Sequence, residues 1–212
     1  MVALWLTSFP GLAAEAGLDL SAHDVVRSAT EQVMAVVEDA REYAEKDPDR
    51  YYQAIDEILA PVIDYRGFAR SVMGPYASGN RYRSLDEPGR SLLRDQLERF
   101  TDVMRSGLVA TYGKGLLAFS GTRIELIDPS AEDGENTRVS VQQLIYAEKS
   151  KPYVLIYQMG LNKGKQWKLR NIIIESVNLG EIYKNQFQSA ARKHNGDLDV
   201  VIESWSAAET KS

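Results

Sequence analysis

Apolar positions change their spacing near residue 120. Before it they recur every three or four residues, after it they come in short runs, and toward the end the helical spacing returns. From Ser21 to Glu45 the stripe Val25, Val26, Ala29, Val33, Val36, Val37 and Ala40 predicts a helix, opened by Ser21 with Asp24 three residues on. A second helix is expected from about Asp49 to Leu59, presenting Tyr52, Ile55, Ile58 and Leu59. Val62 to Met73 reads as a third, with Asp64 near its start and Gly74-Pro75 at its end. The longest runs from about Glu87 to Gly113 on Leu93, Leu97, Phe100, Met104 and Leu108. Four strands follow: Thr122 to Ile127, Thr137 to Ala147, Pro152 to Met159 and Gln166 to Val177. Their short connectors, rich in Gly and Asn, argue antiparallel hairpins. A turn is expected at Ser176-Val177-Asn178. Asn178 then caps a helix to Arg192, with Glu181 three residues on and Leu179, Ile182, Tyr183, Gln186 and Phe187 on one face. Leu198, Val201, Ile202 and Trp205 mark a last helix from Asp197 to Trp205. The expected fold class is α+β: one domain, a four-stranded antiparallel meander with helices packed around it.

An antiparallel sheet with one wet face alternates apolar and polar residues. These strands do not. Tyr153 to Tyr157, Leu144 to Ala147 and Ile172 to Ile174 are unbroken apolar or aromatic runs. One face is covered by helices. The other is either covered by the terminal helices or encloses an open apolar cavity.

Charged residues make up 26% of the chain and its net charge is −5. With no basic excess to follow a phosphate backbone, nucleic-acid binding is not expected, nor is adsorption to anionic lipid through a polybasic patch. No cysteine occurs, which excludes disulfides, thiolate catalysis and Cys-ligated zinc. Residues 1–16 read as a secretory signal peptide: Val2 to Phe9 is apolar, Pro10-Gly11 breaks the run, and Ala14-Glu15-Ala16 fits a cleavage site. The usual basic n-region is missing, so the leader is expected to be truncated at its start. The folded domain is expected over 17–205, followed by a disordered tail at 206–212.

Catalytic constellations are thin. The two histidines, His23 and His194, both read as exposed and suggest no metal pair. Asp47, Asp49, Asp56 and Glu57 lack the order of a calcium loop. No nucleophile elbow, zinc-protease helix or phosphate-binding Gly loop is present. A buried general base would need a carboxylate inside the fold, and only Glu175 qualifies. No enzyme, metal or cofactor is expected.

Several stretches resemble the MlaC / toluene-tolerance auxiliary family of periplasmic phospholipid-binding proteins. They are Asp64 to Tyr76, Phe100 with Thr111-Tyr112, Phe119-Ser120-Gly121, and the tail from Gln166, which carries Trp167 and then Leu179, Tyr183 and Gln186-Phe187. The resemblance runs from about Ser21 to Trp205. Departures at Gln166, Asn171, Ser176, Ala77 and Pro88-Gly89 touch headgroup or partner details rather than the fold. The resemblance implies a monomeric periplasmic shuttle with phospholipid as its cargo. It further implies exchange with an inner-membrane MlaD-type ABC transporter complex and an outer-membrane MlaA-type lipoprotein complex, maintaining outer-membrane lipid asymmetry. On this reading the cavity is lined from the helices by Val72, Met73, Tyr76, Phe100, Met104, Leu108, Tyr183 and Phe187. The strands contribute Val139, Val141, Val154, Ile156, Ile172 and Ile174. Two alternatives stay open: a non-catalytic envelope adaptor with a filled core, and a cone-shaped α+β enzyme using Glu175.

Overall fold

The computed structural model describes residues 20–118, 121, 123–130, 136–147 and 151–209. The expected leader, Phe119-Ser120 and residues 210–212 of the expected tail lie outside the described residues. The first helix, α1 (Ala22–Ala40), starts as its sequence predicts. The Ser21 side chain accepts from the Asp24 amide and the Asp24 carboxylate accepts from the Ser21 amide, both at 3.1 Å, so two orphan donors are satisfied together. Helix α2 (Pro48–Leu59) is capped by Asp47 and buries Tyr51 and Ile55.

The third helix, α3, begins at Tyr65 rather than Val62 and ends at Met73. The difference has a hydrogen-bonding cause. Val62 accepts from the Leu169 amide at 2.9 Å and the Asp64 amide donates to Leu169 at 3.0 Å, so Val62 to Asp64 is drawn out along the sheet. Asp64 becomes the cap instead, accepting from the Gly67 amide at 3.0 Å. A 3-10 turn over Gly74–Ala77 and a short α4 (Gly79–Ser84) follow, neither visible as an apolar period in the sequence. Asp86 caps α5 (Glu87–Leu117), with Pro88 in the first turn, where an amide hydrogen is not needed.

Among the described residues the sheet has five strands in the order β1 (Arg123–Leu126), β2 (Arg138–Tyr146), β3 (Tyr153–Leu161), β4 (Trp167–Ile174) and β5 (Val177–Asn178). All adjacent pairs are antiparallel, so the expected meander is present with one more strand than the four predicted. The fifth comes from the expected turn. The chain reverses one step earlier, at Glu175 (φ 57°) and Ser176, and Val177-Asn178 pairs back on Ile173-Ile174. Helices α6 (Leu179–Lys193) and α7 (Leu198–Glu209) close the chain, the last running past Trp205.

Among the described residues, buried apolar side chains form three separate clusters. The largest joins α3, α5, α6 and α7 around Phe100 and Phe187, whose rings stand 4.8 Å apart. The second joins α1, α2 and α5 through Val37, Tyr51, Ile55 and Val109. The third lies where the start of α1 crosses the sheet, between Ala22, Val26, Val139, Val141 and Met159. Among the described residues, no helix is long and apolar enough to cross a membrane.

Candidate functional site

Register decides which strand residues share a face. Val139 pairs with Met159 and, through it, lines up with Leu169; Val141 pairs with Tyr157 and, through it, lines up with Ile172. Gln143 pairs with Leu126, Leu155 and, through it, Ile174, while Ile145 pairs with Ile124 and Tyr153. These residues therefore share one face, and it is the face α1 packs on. A bulge in β4 opposite Gln158 and Met159 lets Leu169 and Ile172, three residues apart, fall on that same side. The other face carries Arg123, Glu125, Ser140, Gln142 and Gln158, with Leu144, Val154, Ile156 and Ile173 toward one end.

The apolar face divides into two halves. Toward one end it is closed, because Val139, Val141 and Met159 are buried beneath α1. Toward the other end Ile124, Ile145, Leu155, Ile172 and Ile174 are only partly buried, and among the described residues they join none of the three clusters. A polar chain marks the boundary. The Tyr157 phenol donates to Gln143 Oε1 at 2.7 Å, and Gln143 Nε2 donates to Thr30 Oγ1 on α1 at 3.0 Å. Gln143 is 3% exposed. Burial pushes the Tyr157 phenol well above its ordinary range, so it remains a donor. The side-chain polar atoms of Tyr157 and Gln143 thus have partners within an otherwise apolar surface.

The fourteen predicted lining residues separate accordingly. Val72, Met73, Phe100, Met104 and Phe187 are no more than 1% exposed and fill the largest cluster, with Tyr76, Leu108 and Tyr183 partly buried against it. In this structure the first five border packed neighbours rather than open space. Val139 and Val141 lie beneath α1, and Ile172 and Ile174 lie on the same face in its open half. Val154 and Ile156 point to the opposite face, because the register pairs odd-numbered β3 residues with Val139 and Val141. Ile124, Ile145 and Leu155 also belong to the open half and are not among the expected residues. Their signal lies in the pairing, which a single strand's sequence does not carry. On the helical side, Tyr112 is also half-buried. Its phenol is pushed up by burial and partly lowered by a hydrogen bond with Tyr183.

Two expectations about polar groups change. Glu175 is exposed at the β4–β5 turn, and its carboxylate accepts from the Val154 amide at 2.7 Å, so it does not project into the fold. His23 is 5% exposed rather than open to solvent, because the first turn of α1 is covered by the sheet.

A concavity of about 340 Å³ lies where the starts of α3 and α6 meet β4. It is lined by Gly67, Ser71, Gln158, Asn171, Asn178 and Gly180, among others. Asn171 organises it, donating to Gln158 Oε1 at 2.8 Å and Asn178 Oδ1 at 2.9 Å and accepting from the Gly180 amide at 3.0 Å. Arg170, its neighbour in the bulge, pairs with Asp64. These side chains satisfy one another and fasten two helix starts to the sheet.

Comparisons of sequence and of fold find a matching family and similar proteins. The sequence model described as "MlaC protein" matches residues 27–207. The toluene tolerance protein ttg2D of Pseudomonas putida is 28% identical over 207 residues, covering 98% of this chain and 88% of that protein. A phospholipid-binding protein from Ralstonia solanacearum, solved in complex with a phospholipid, superposes with a TM-score of 0.71 at 21% identity. That superposition covers 90% of this chain and 99% of the other, and is a likeness of fold.

Proposed function

This chain belongs to the MlaC family, and from that premise we propose that it is a periplasmic carrier that holds phospholipid acyl chains against the open half of its apolar sheet face. One observation carries the reading: Ile124, Ile145, Leu155, Ile172 and Ile174 form an apolar surface left only partly buried, beside a fully packed helical core. Keeping a methylene from water is worth about 0.8 kcal/mol, so two acyl chains laid there gain roughly 20 kcal/mol gross. The helical side contributes Leu108, Tyr112 and Tyr183, which are also partly buried. The headgroup stays in water, so its phosphate needs no buried cation. The solved phospholipid complex of the same fold supports this assignment.

In this reading residues 1–16 direct export, and the domain that follows moves lipid between an outer-membrane lipoprotein complex and an inner-membrane transporter. The family assignment supports these finer steps. The test is native mass spectrometry of the protein purified from the periplasm without detergent, followed by solvent extraction. Near-stoichiometric phospholipid is expected. A clean unliganded mass from lipid-rich cells refutes the carrier reading and leaves the adaptor with a filled core.

A further inference from the structure

The stretch from Arg66 to Arg94 is basic within an acidic chain. It holds Arg66, Arg70, Arg81, Arg83, Arg90 and Arg94 against only Asp86 and Glu87, while the whole chain carries a net charge of −5. The fold gathers part of this charge around a groove of about 300 Å³ between α3, α4 and α5. Its floor is apolar: Ala77, Leu93 and Leu97 line it, each largely buried in the helical core. Arg66 and Arg94 stand on the rim, held by Glu98 at 3.4 Å and Glu87 at 3.0 Å. Tyr82 forms part of the wall and accepts from Arg94 at 2.6 Å.

Arg70 and Arg83 differ from these rim arginines. Gly79 lacks a side chain where the two converge: a Cβ there would meet Arg83 Nη1 at 3.3 Å and Arg70 Nη2 at 3.8 Å. Among the described residues neither has a carboxylate within ion-pair distance. Arg83 donates to Asn80 Oδ1 and Arg70 to the Ala77 carbonyl, so each is oriented by a neutral acceptor. Two like charges brought together over an apolar floor favour an anion that also offers an apolar group.

We propose that this groove docks an acidic, extended segment of a partner protein, with a carboxylate on Arg70 and Arg83 and a neighbouring aliphatic side chain on Leu93 and Leu97. A bilayer is flat on this scale and reaches the rim only, whereas an extended peptide reaches both the charges and the floor. The groove uses none of the residues assigned to acyl chains, so the inference stands apart from the carrier reading.

The test is fluorescence anisotropy with a rhodamine-labelled peptide of alternating glutamate and leucine, and a glutamine–leucine peptide as control. Saturable binding of the acidic peptide is expected, weakened at least about tenfold by Arg83→Glu and falling as ionic strength rises. Gly79→Leu places a side chain between Arg70 and Arg83 without changing charge and should weaken binding to a similar extent, with circular dichroism confirming that both variants fold. Equal binding of the two peptides, or unchanged affinity in both variants, overturns the proposal. So does Arg83-dependent binding to phosphatidylglycerol vesicles with none to the peptide, which makes the groove a membrane contact.

Discussion

Placing a carboxylate on each half of the apolar sheet face should have opposite consequences. Val141 is 0% exposed beneath α1. Val141→Asp forfeits about 1.5–3 kcal/mol of side-chain burial and adds several kcal/mol for an unpaired buried charge. Together these approach the whole stability of an ordinary domain, about 5–15 kcal/mol, so this variant should be unfolded or nearly so at neutral pH. Leu155 shares that face but lies in the open half, only partly buried and paired with Gln143 and Ile174. Leu155→Asp should cost the empty protein about 1 kcal/mol, because its carboxylate stays hydrated. Acyl chains laid over position 155 would strip that water away, at about 3 kcal/mol or more, a loss of at least about a hundredfold in lipid affinity. Urea melts give the stability half of the prediction, and phospholipid phosphorus per mole of protein, after purification at pH 8 without detergent, gives the other. A folded Leu155→Asp protein that keeps its full lipid load would refute the assignment of the open half. A stable Val141→Asp protein would refute the division of the face itself.

Two glycines near the end of α5 should respond in opposite directions. Gly113→Ala places a Cβ 3.1 Å from two Tyr52 ring atoms, so overpacking of about 1–3 kcal/mol outweighs the helical gain. Gly115→Ala meets nothing within 4 Å and should raise stability by up to about 1 kcal/mol, or about 2–4 °C in Tm by calorimetry. Asn171→Ala removes the hydrogen bonds to Gln158, Asn178 and Gly180, and at about 1 kcal/mol each should lower the urea-unfolding free energy by about 2–3 kcal/mol. Asp199 is held below the usual carboxylate range chiefly by its hydrogen bond from Arg99, against desolvation, with help from Gln96. Its folded value is depressed, so its contribution is complete above about pH 3.8 and is lost as pH falls through the lower folded value. The stability gap between the protein and Asp199→Asn should therefore be constant near neutrality and shrink in acid, as pH-resolved melts would show.

Helices and hairpins were legible in the sequence because their signals are local. Ser21 with Asp24, Asp86 with Pro88, and Asn178 all mark helix starts through bonds made within a few residues. Helix α4 was not, since Gly79 to Ser84 has no apolar period and its shape depends on its neighbours. The start of α3 moved for a related reason: Val62 and Asp64 bond to Leu169, more than a hundred residues away. The candidate site was half legible. Its apolar content was plain from the unbroken strand runs, but a face is defined by register. With both parities apolar, nothing local distinguishes Ile156 from Leu155. The bulge adds a further shift, since Leu169 and Ile172 share a side that strict alternation would deny them. Helical stripes carry the matching ambiguity, and Phe100, Met104 and Phe187 turn out to face one another.

The division of the interior into three clusters has a mechanical consequence. A close-packed block of side chains resists both compression and expansion, because any change of volume breaks many contacts at once. Three such blocks, with the partly buried side chains between them as seams, should respond unequally to a load. Under an inserted guest the blocks around Phe100, around Tyr51 and beneath α1 can each keep their internal packing while the spacing between them adjusts. Stiffness belongs to the blocks and compliance to the seams.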